Sequence, residues 1–218
     1  MSKKLESTLL NMVLSLTIIG VTMSAALGFV YTKTKYPIEK SNKQNIINAI
    51  QAVLPEFDND PLSEKEIVND LEFYCARKNG KIVGYAVKTF SMKGFNGLIS
   101  LMVGLKPDGT IYKIRVLEQK ETPGLGSKMT DPSFIEQFLD KNPGSYKLKV
   151  KKDGGDVDAI TASTITSRAF CDALQRSYDA LKSKQNNNDN VTSDEIKNIN
   201  NSDSVSKIPV NKVKGGEK

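Results

Sequence analysis

One run of small and hydroxyl side chains stands where a helix is expected to begin: Asp158-Ala159-Ile160-Thr161-Ala162-Ser163-Thr164-Ile165-Thr166-Ser167-Arg168. Ser and Thr at such a place cap the helix by accepting from its free amides. The same amides, together with the helix dipole, favour an anion, and small residues let a phosphate approach the backbone closely. Capping and phosphate binding are both open on this segment alone. A second segment, Glu121-Thr122-Pro123-Gly124-Leu125-Gly126, has Pro then Gly at the central positions of a type II turn, where Gly accepts the positive φ. Its glycines do not form G-x-G-x-x-G, and no Walker A sequence occurs, so dinucleotide and nucleoside triphosphate folds are not supported.

Other chemistries are excluded by what the chain lacks. It has no His, which removes Ser-His-Asp and Cys-His dyads, the commonest zinc sites and imidazole ligation of haem. Its two cysteines, Cys75 and Cys171, are far apart and form no C-x-x-C, too few ligands for an iron–sulfur or structural zinc site. Two buried thiols are expected; a disulfide is the alternative if the domain is exported. The net charge of +6 is spread thinly, and residues 42–183 hold 20 basic against 18 acidic groups. Without a concentrated basic face or a readable motif, no nucleic-acid partner is expected.

The elements that must position these segments can be read from periodicity. Ser41 or Asn42 can cap a helix in which Ile46, Ile47, Ala49, Ile50, Val53 and Leu54 recur at helical spacing until Pro55 stops it. Leu71–Arg77, Ile82–Thr89, Leu98–Leu105 and Ile111–Val116 read as strands. Turns at Lys78-Asn79-Gly80 and Pro107-Asp108-Gly109 make them hairpins of an antiparallel sheet. Asp131-Pro132 starts a short helix with a capping side chain, and Tyr146–Val150 is a further candidate strand before a charged loop over 151–156. The last helix is expected from about Thr164 to Leu181, with Ala169, Phe170, Ala173, Leu174, Tyr178 and Leu181 facing the core. From 184 the composition turns to Asn, Ser, Asp and Lys, which predicts a disordered polar tail.

At the other end, residues 7–32 carry no charge. The apolar core from Leu9 to Tyr31 is long enough to span a hydrocarbon layer, which takes about 20 helical residues. A cleaved signal is the rival reading, with Ser24 and Ala26 at cleavage-site spacing, but the run is long for a signal peptide. Orientation is ambiguous by charge: Lys3 and Lys4 precede the span, and Lys33, Lys35, Lys40 and Lys43 follow it.

The run Asp158-x-x-Thr161-Ala162-Ser163-Thr164 resembles the flavinylation motif of FMN-binding domains, and Glu121–Gly126 resembles the E-T-P-G-L-G run upstream of it in that family. Such domains occur in the G subunit of Rnf-type electron-transport complexes and in the B and C subunits of the sodium-translocating NADH:quinone reductase. The resemblance covers roughly residues 5–183, with anchor, domain and both motifs in order. It implies an α+β protein: a cytoplasmic segment over 1–8, a transmembrane helix over 9–31 and an FMN-binding domain of antiparallel sheet and flanking helices over 32–183; the disordered polar tail over 184–218 lies outside the resemblance.

The resemblance further implies that a flavin transferase joins FMN through its phosphate to Thr164. Thr161, Ala162, Ser163, Thr166, Glu121, Thr122, Gly124 and Leu125 would bind the cofactor, and Asp158 would serve transferase recognition. Ala162 stands where Gly is common in the motif, and Ser163 where Ala is common. No catalytic residue acting on a substrate and no metal site is implied. The expected setting is the bacterial inner membrane, single-pass, with the flavin domain periplasmic and other membrane subunits as partners. The expected function is that of the G subunit of an Rnf-type ferredoxin:NAD oxidoreductase complex. The alternatives are the quinone-reductase C subunit or another anchored FMN carrier, and, in a different class, a cofactor-free anchored scaffold.

Overall fold

The computed structural model describes residues 8–202, with side chains through 186. Helix α1 runs from Leu9 to Val53 and falls into two units, its residues through Asn48 in one and those from Ala49 in the other. In the first unit the helix is long and apolar enough to cross a membrane, with none of its most apolar stretch buried. Its hydroxyls are satisfied along the helix itself: Ser15 donates to the Met12 carbonyl, Thr17 to Val13 and Thr22 to Ile18, at 2.8–2.9 Å. Such back-bonding lets Ser and Thr sit in an apolar helix without an outside partner. The expected second helix starting near Ser41 is instead part of α1, which continues through Pro37.

In the second unit, strands β1 (Lys65–Val68), β2 (Leu71–Lys78), β3 (Lys81–Gly94), β4 (Gly97–Leu105) and β5 (Ile111–Gln119) form one antiparallel sheet in sequence order. The fold is α+β, as expected. Asn79 and Gly80 both have positive φ, the geometry of a tight two-residue hairpin turn. Asn69 and Asp70 do the same between β1 and β2, a strand pair that sequence reading missed because no Gly marks its turn.

β4 is buried on both faces, as its apolar residues Ile99, Leu101, Met102 and Val103 demand. On one face Phe73, Val87, Val103 and Ile114 stand in cross-strand register under α3 (Thr164–Ser202), where Ala169, Phe170, Ala173 and Leu174 complete the core. On the other face Tyr74, Ala86 and Gly104 are register partners. There the end of α1 lies directly on β4: a Cβ at Gly104 would stand 1.8 Å from the Val53 carbonyl oxygen. Gly104 is therefore a backbone-contact position between helix and sheet.

Between sheet and α3 the chain makes short turns. Helix α2 (Pro132–Ile135) and the 3₁₀ turn Glu136–Phe138 bring Phe134 and Phe138 against Phe170, with ring centroids 5.2–5.3 Å apart. Asp131 occupies the N-cap position, but its side chain makes no cap hydrogen bond, contrary to expectation. The expected strand over Tyr146–Val150 is reduced to a single bridge from Val150 to Val157. That segment folds back on itself: the Lys147 amide donates to the Asp156 carboxylate at 2.7 Å, and the Asp156 amide to the Lys147 carbonyl at 3.1 Å. α3 continues past the expected end near Leu181 to Ser202, since neither Gly nor Pro interrupts residues 156–208. Of the tail expected to be disordered from 184, residues 203–218 lie outside the described residues.

Candidate functional site

Two turns face each other across a cleft. In the first, the Leu125 amide donates to the Thr122 carbonyl at 3.2 Å, and Gly124 has φ +75° at the third position. This is the type II pattern expected from Pro123-Gly124. The Gly124 amide donates to Ser127 Oγ at 2.9 Å, which fixes the turn from below. In the second, the Ser163 amide donates to the Ile160 carbonyl at 2.9 Å, and the third residue, Ala162, has φ +61°. α3 starts directly after it at Thr164.

One carboxylate joins the two. Glu121 is 6% exposed and Thr166 is 1% exposed. The Thr166 hydroxyl donates to Glu121 Oε2 at 2.7 Å, and the Asn96 amide donates to Oε1 at 3.1 Å. Asn96 Nδ2 also donates to the Lys120 carbonyl at 2.8 Å. Room for the carboxylate exists because Gly94 and Gly126 lack side chains: a Cβ at Gly126 would lie 2.5 Å from Oε2, and one at Gly94 would lie 2.7 Å from Oε1. Buried and accepting from two donors, Glu121 ties the β3–β4 hairpin, the Thr122–Leu125 turn and the first turn of α3 together.

The cleft between them holds about 330 Å³, at the small end of the size range of small-molecule sites. Thr164, Ser163, Ala162, Thr166, Glu121, Thr122 and Leu125, all expected from sequence, line it. Gly124 shapes the turn without lining the cleft. Thr161 and Asp158 are not in the cleft; they line a neighbouring groove with Gln137 and Lys128. There the Asp158 amide donates to Gln137 Oε1 at 2.8 Å, and Gln137 Nε2 donates back to the Asp158 carbonyl at 3.2 Å. The Asp158 carboxylate is exposed and accepts from Lys151 Nζ at 2.7 Å.

Sequence reading missed Phe95, Gly126 and Ile165 as cleft residues. Phe95 is the one with a usable signal, an aromatic between Gly94 and Gly97 where a hairpin tip is normally polar.

Among the hydroxyls at the head of α3, Thr166 is engaged by Glu121. The Ser167 hydroxyl donates to the Ser163 carbonyl at 3.0 Å and accepts from the Ile160 amide at 2.9 Å. Ser163 is buried. Thr164 is half-buried on the cleft wall and combines access with position at the helix N-terminus. Its own amide and the next two fall in the first turn, before the ladder begins with the Ser167 amide donating to the Ser163 carbonyl. They and the helix dipole favour a phosphate there. Leu125 and Ile165, 42% and 47% exposed, supply apolar surface beside it. An anion seat, an accessible hydroxyl and an apolar wall in one cleft fit an FMN held by its phosphate. Among the described residues, no group of His, Cys, Asp and Glu is placed to hold a metal ion.

The cysteines do not pair. Cys171 is buried beside the aromatic cluster, and burial pushes its thiol up to about 12. Burial also raises Cys75. Cys171 is the buried thiol expected, whereas Cys75 is only half-buried against the core.

The FMN-binding domain family matches residues 94–179, a span that holds the whole cleft from Phe95 to Thr166. The G subunit of the ion-translocating oxidoreductase complex of Methanosarcina acetivorans is 31% identical over 191 residues, covering 84% of this chain and 98% of that one. The corresponding G subunit of Vibrio atlanticus is 32% identical over 189 residues, covering 80% and 90%. Among solved structures, Shewanella oneidensis NqrC matches at 23% identity and a TM-score of 0.41, over 60% of this chain and 70% of that chain. With the cleft inside the matched domain and relatives aligned over nearly their full length, the chain belongs to the family of G subunits of ion-translocating oxidoreductase complexes.

Proposed function

We propose that this member of the G-subunit family is a membrane-anchored electron carrier whose FMN is esterified through its phosphate to Thr164. The observation that carries this is the placing of Thr164: the accessible hydroxyl of the first turn of α3, on the wall of an apolar-lipped cleft. When bound, the flavin supplies the redox chemistry. The protein supplies place and surroundings. Amides of the first turn of α3 would hold the phosphate, Ala162 and Ser163 would leave it room, and Leu125 and Ile165 would offer the ring apolar surface.

Asp158 stands outside the cleft with an exposed carboxylate on a backbone clamped by Gln137. That supports its reading as a recognition point for a flavin transferase rather than a cofactor contact. Thr161 joins it on that side. The apolar stretch of α1 supports a single-pass anchor in the membrane. A periplasmic flavin domain with other members of the complex as neighbours is carried over from the similarity to the G subunits.

The test is direct. The chain is expressed with a flavin transferase, denatured, run on a gel and viewed for flavin fluorescence, beside Thr164→Val. The wild-type band fluoresces and the variant band is dark. A dark wild-type band next to a glowing flavinylated control overturns covalent attachment at Thr164, and native protein that is also colourless favours a cofactor-free scaffold.

A further inference from the structure

The groove beside the cleft is organised by one side-chain amide. Gln137 is half-buried in the 3₁₀ turn after α2. Its Nε2 donates to the Phe134 carbonyl at 2.9 Å and to the Asp158 carbonyl at 3.2 Å, and its Oε1 accepts from the Asp158 amide at 2.8 Å. Both N–H groups and the oxygen of the amide are in use, so its orientation is set. The two bonds to Asp158 are those a neighbouring strand makes, supplied here by a side chain. They matter because residues 158–160 belong to no helix or strand. At the other end of this segment the Ile160 amide donates to Ser167 Oγ on α3. The backbone is thus pinned at both ends while the Asp158 side chain points outward, 74% exposed and paired with exposed Lys151. Such a surface pair contributes little and yields readily to another cation.

We propose that Gln137 is the positioning residue of a docking surface for the flavin transferase: by clamping the Asp158 backbone it presents that carboxylate, with Lys128 and Thr161 beside it, at a fixed place relative to Thr164. The inference rests on Thr164 being the FMN acceptor and Asp158 a transferase contact. During transfer the incoming flavin occupies the cleft, so the enzyme needs a hold on the domain outside it. The groove adjoins the acceptor through the turn at Ala162 and carries polar groups of both signs. The transfer forms the Thr164 Oγ–P bond and breaks the P–O bond to the leaving phosphate of a flavin pyrophosphate donor; the hydroxyl proton passes to a base of the transferase. Gln137 takes no part in that step. A contact already held in place loses less freedom on binding, so the clamp acts on affinity for the enzyme.

Full-length chain in detergent is the varied substrate for a flavin transferase with a flavin pyrophosphate donor, and covalent flavin fluorescence is followed in time. Gln137→Met keeps length and bulk but makes none of the hydrogen bonds. The expected result is a KM for the chain raised roughly five- to tenfold with kcat within about twofold of wild type, and an unchanged near-ultraviolet circular dichroism spectrum. Gln137→Glu keeps the acceptor but turns an oxygen on two carbonyls, and it raises KM in the same way. Asp158→Asn also raises KM, and Gln137→Met adds nothing to it in the double variant, because the clamp works through that carboxylate. Wild-type KM in both Gln137 variants, with Asp158→Asn impaired, overturns this inference alone. So do losses confined to kcat, or losses that add in the double variant. A wild-type KM for Asp158→Asn overturns the Asp158 reading and this inference with it. Absence of covalent flavin from the wild type overturns the Thr164 reading on which both stand.

Discussion

Ala162 is where the local rule and the sequence disagree, and the disagreement has a size. Among the described residues the other non-glycine positions with positive φ are Asn or Asp, which tolerate it; Ala162, at +61°, does not share that chemistry. Crowding of its Cβ against the backbone costs about 1–2 kcal/mol. Replacing it with Gly removes that cost but frees the unfolded chain, which offsets about 0.4–1 kcal/mol. The Ala162 methyl is exposed, so no core burial is lost. The balance is a stabilisation of roughly 0–1.6 kcal/mol, centred near 0.8, for Ala162→Gly. For a domain of this length that corresponds to a rise in melting temperature of about 2–3 °C. The assay is thermal unfolding of the full chain in detergent, followed by near-ultraviolet circular dichroism, which reports the tyrosines and phenylalanines of the folded unit. Ala162→Val, β-branched at the same φ, must shift the other way. A melting temperature for Ala162→Gly equal to or below wild type would refute the argument that this turn is strained.

Three further outcomes follow from the packing. Thr166→Val keeps the shape but leaves Glu121 Oε2 without its hydroxyl donor, so stability falls by about 1.5–3 kcal/mol, read from the urea midpoint. Gly104→Ala forces the α1 end off β4, because the contact is with the Val53 backbone and cannot be relieved by a rotamer change; it costs about 1–3 kcal/mol or more by the same assay. Cys171 gives a pH signature. Its folded-state value is raised, so above the ordinary thiol range the unfolded chain sheds a proton that the folded chain keeps. Stability therefore falls as pH rises toward about 12, and Cys171→Ala shows a shallower alkaline decline than wild type in urea titrations at pH 8 and pH 10.

The hairpins were legible because their turns carry residues with one conformational use. Asn79-Gly80 and Pro123-Gly124 each announce a positive φ, and both turns form where expected. β1 was not legible, since Asn69-Asp70 reaches the same geometry without Gly, and its strand Lys65–Val68 is short and mostly exposed. Tyr146–Val150 has the alternation of a strand, but Asp156 and Gly155 turn its hydrogen bonds inward; a Cβ at Gly155 would stand 2.1 Å from the Lys149 carbonyl oxygen. At the site, the residues of the two motifs could be read as groups, but the bond that unites them could not. Nothing in the local pattern of Glu121 or Thr166 says that they meet. The same holds for Thr161 and Asp158, which the motif places beside Thr164 in sequence and the turn at Ala162 sends to another groove.

The Glu121–Thr166 bond closes a loop of 45 residues, and Thr89, on the strand leading to Phe95, donates to the Ala173 carbonyl 84 residues away. Contacts of such separation are slow to form, because loop closure must precede the packing that rewards it. The cleft is complete only when β3, β4 and α3 have all docked. Under the proposed attachment at Thr164, the modifying enzyme would need the docked cleft as its substrate, so the fraction of chains carrying covalent flavin would report how many have folded, and a core lesion far from the cleft would register as missing colour.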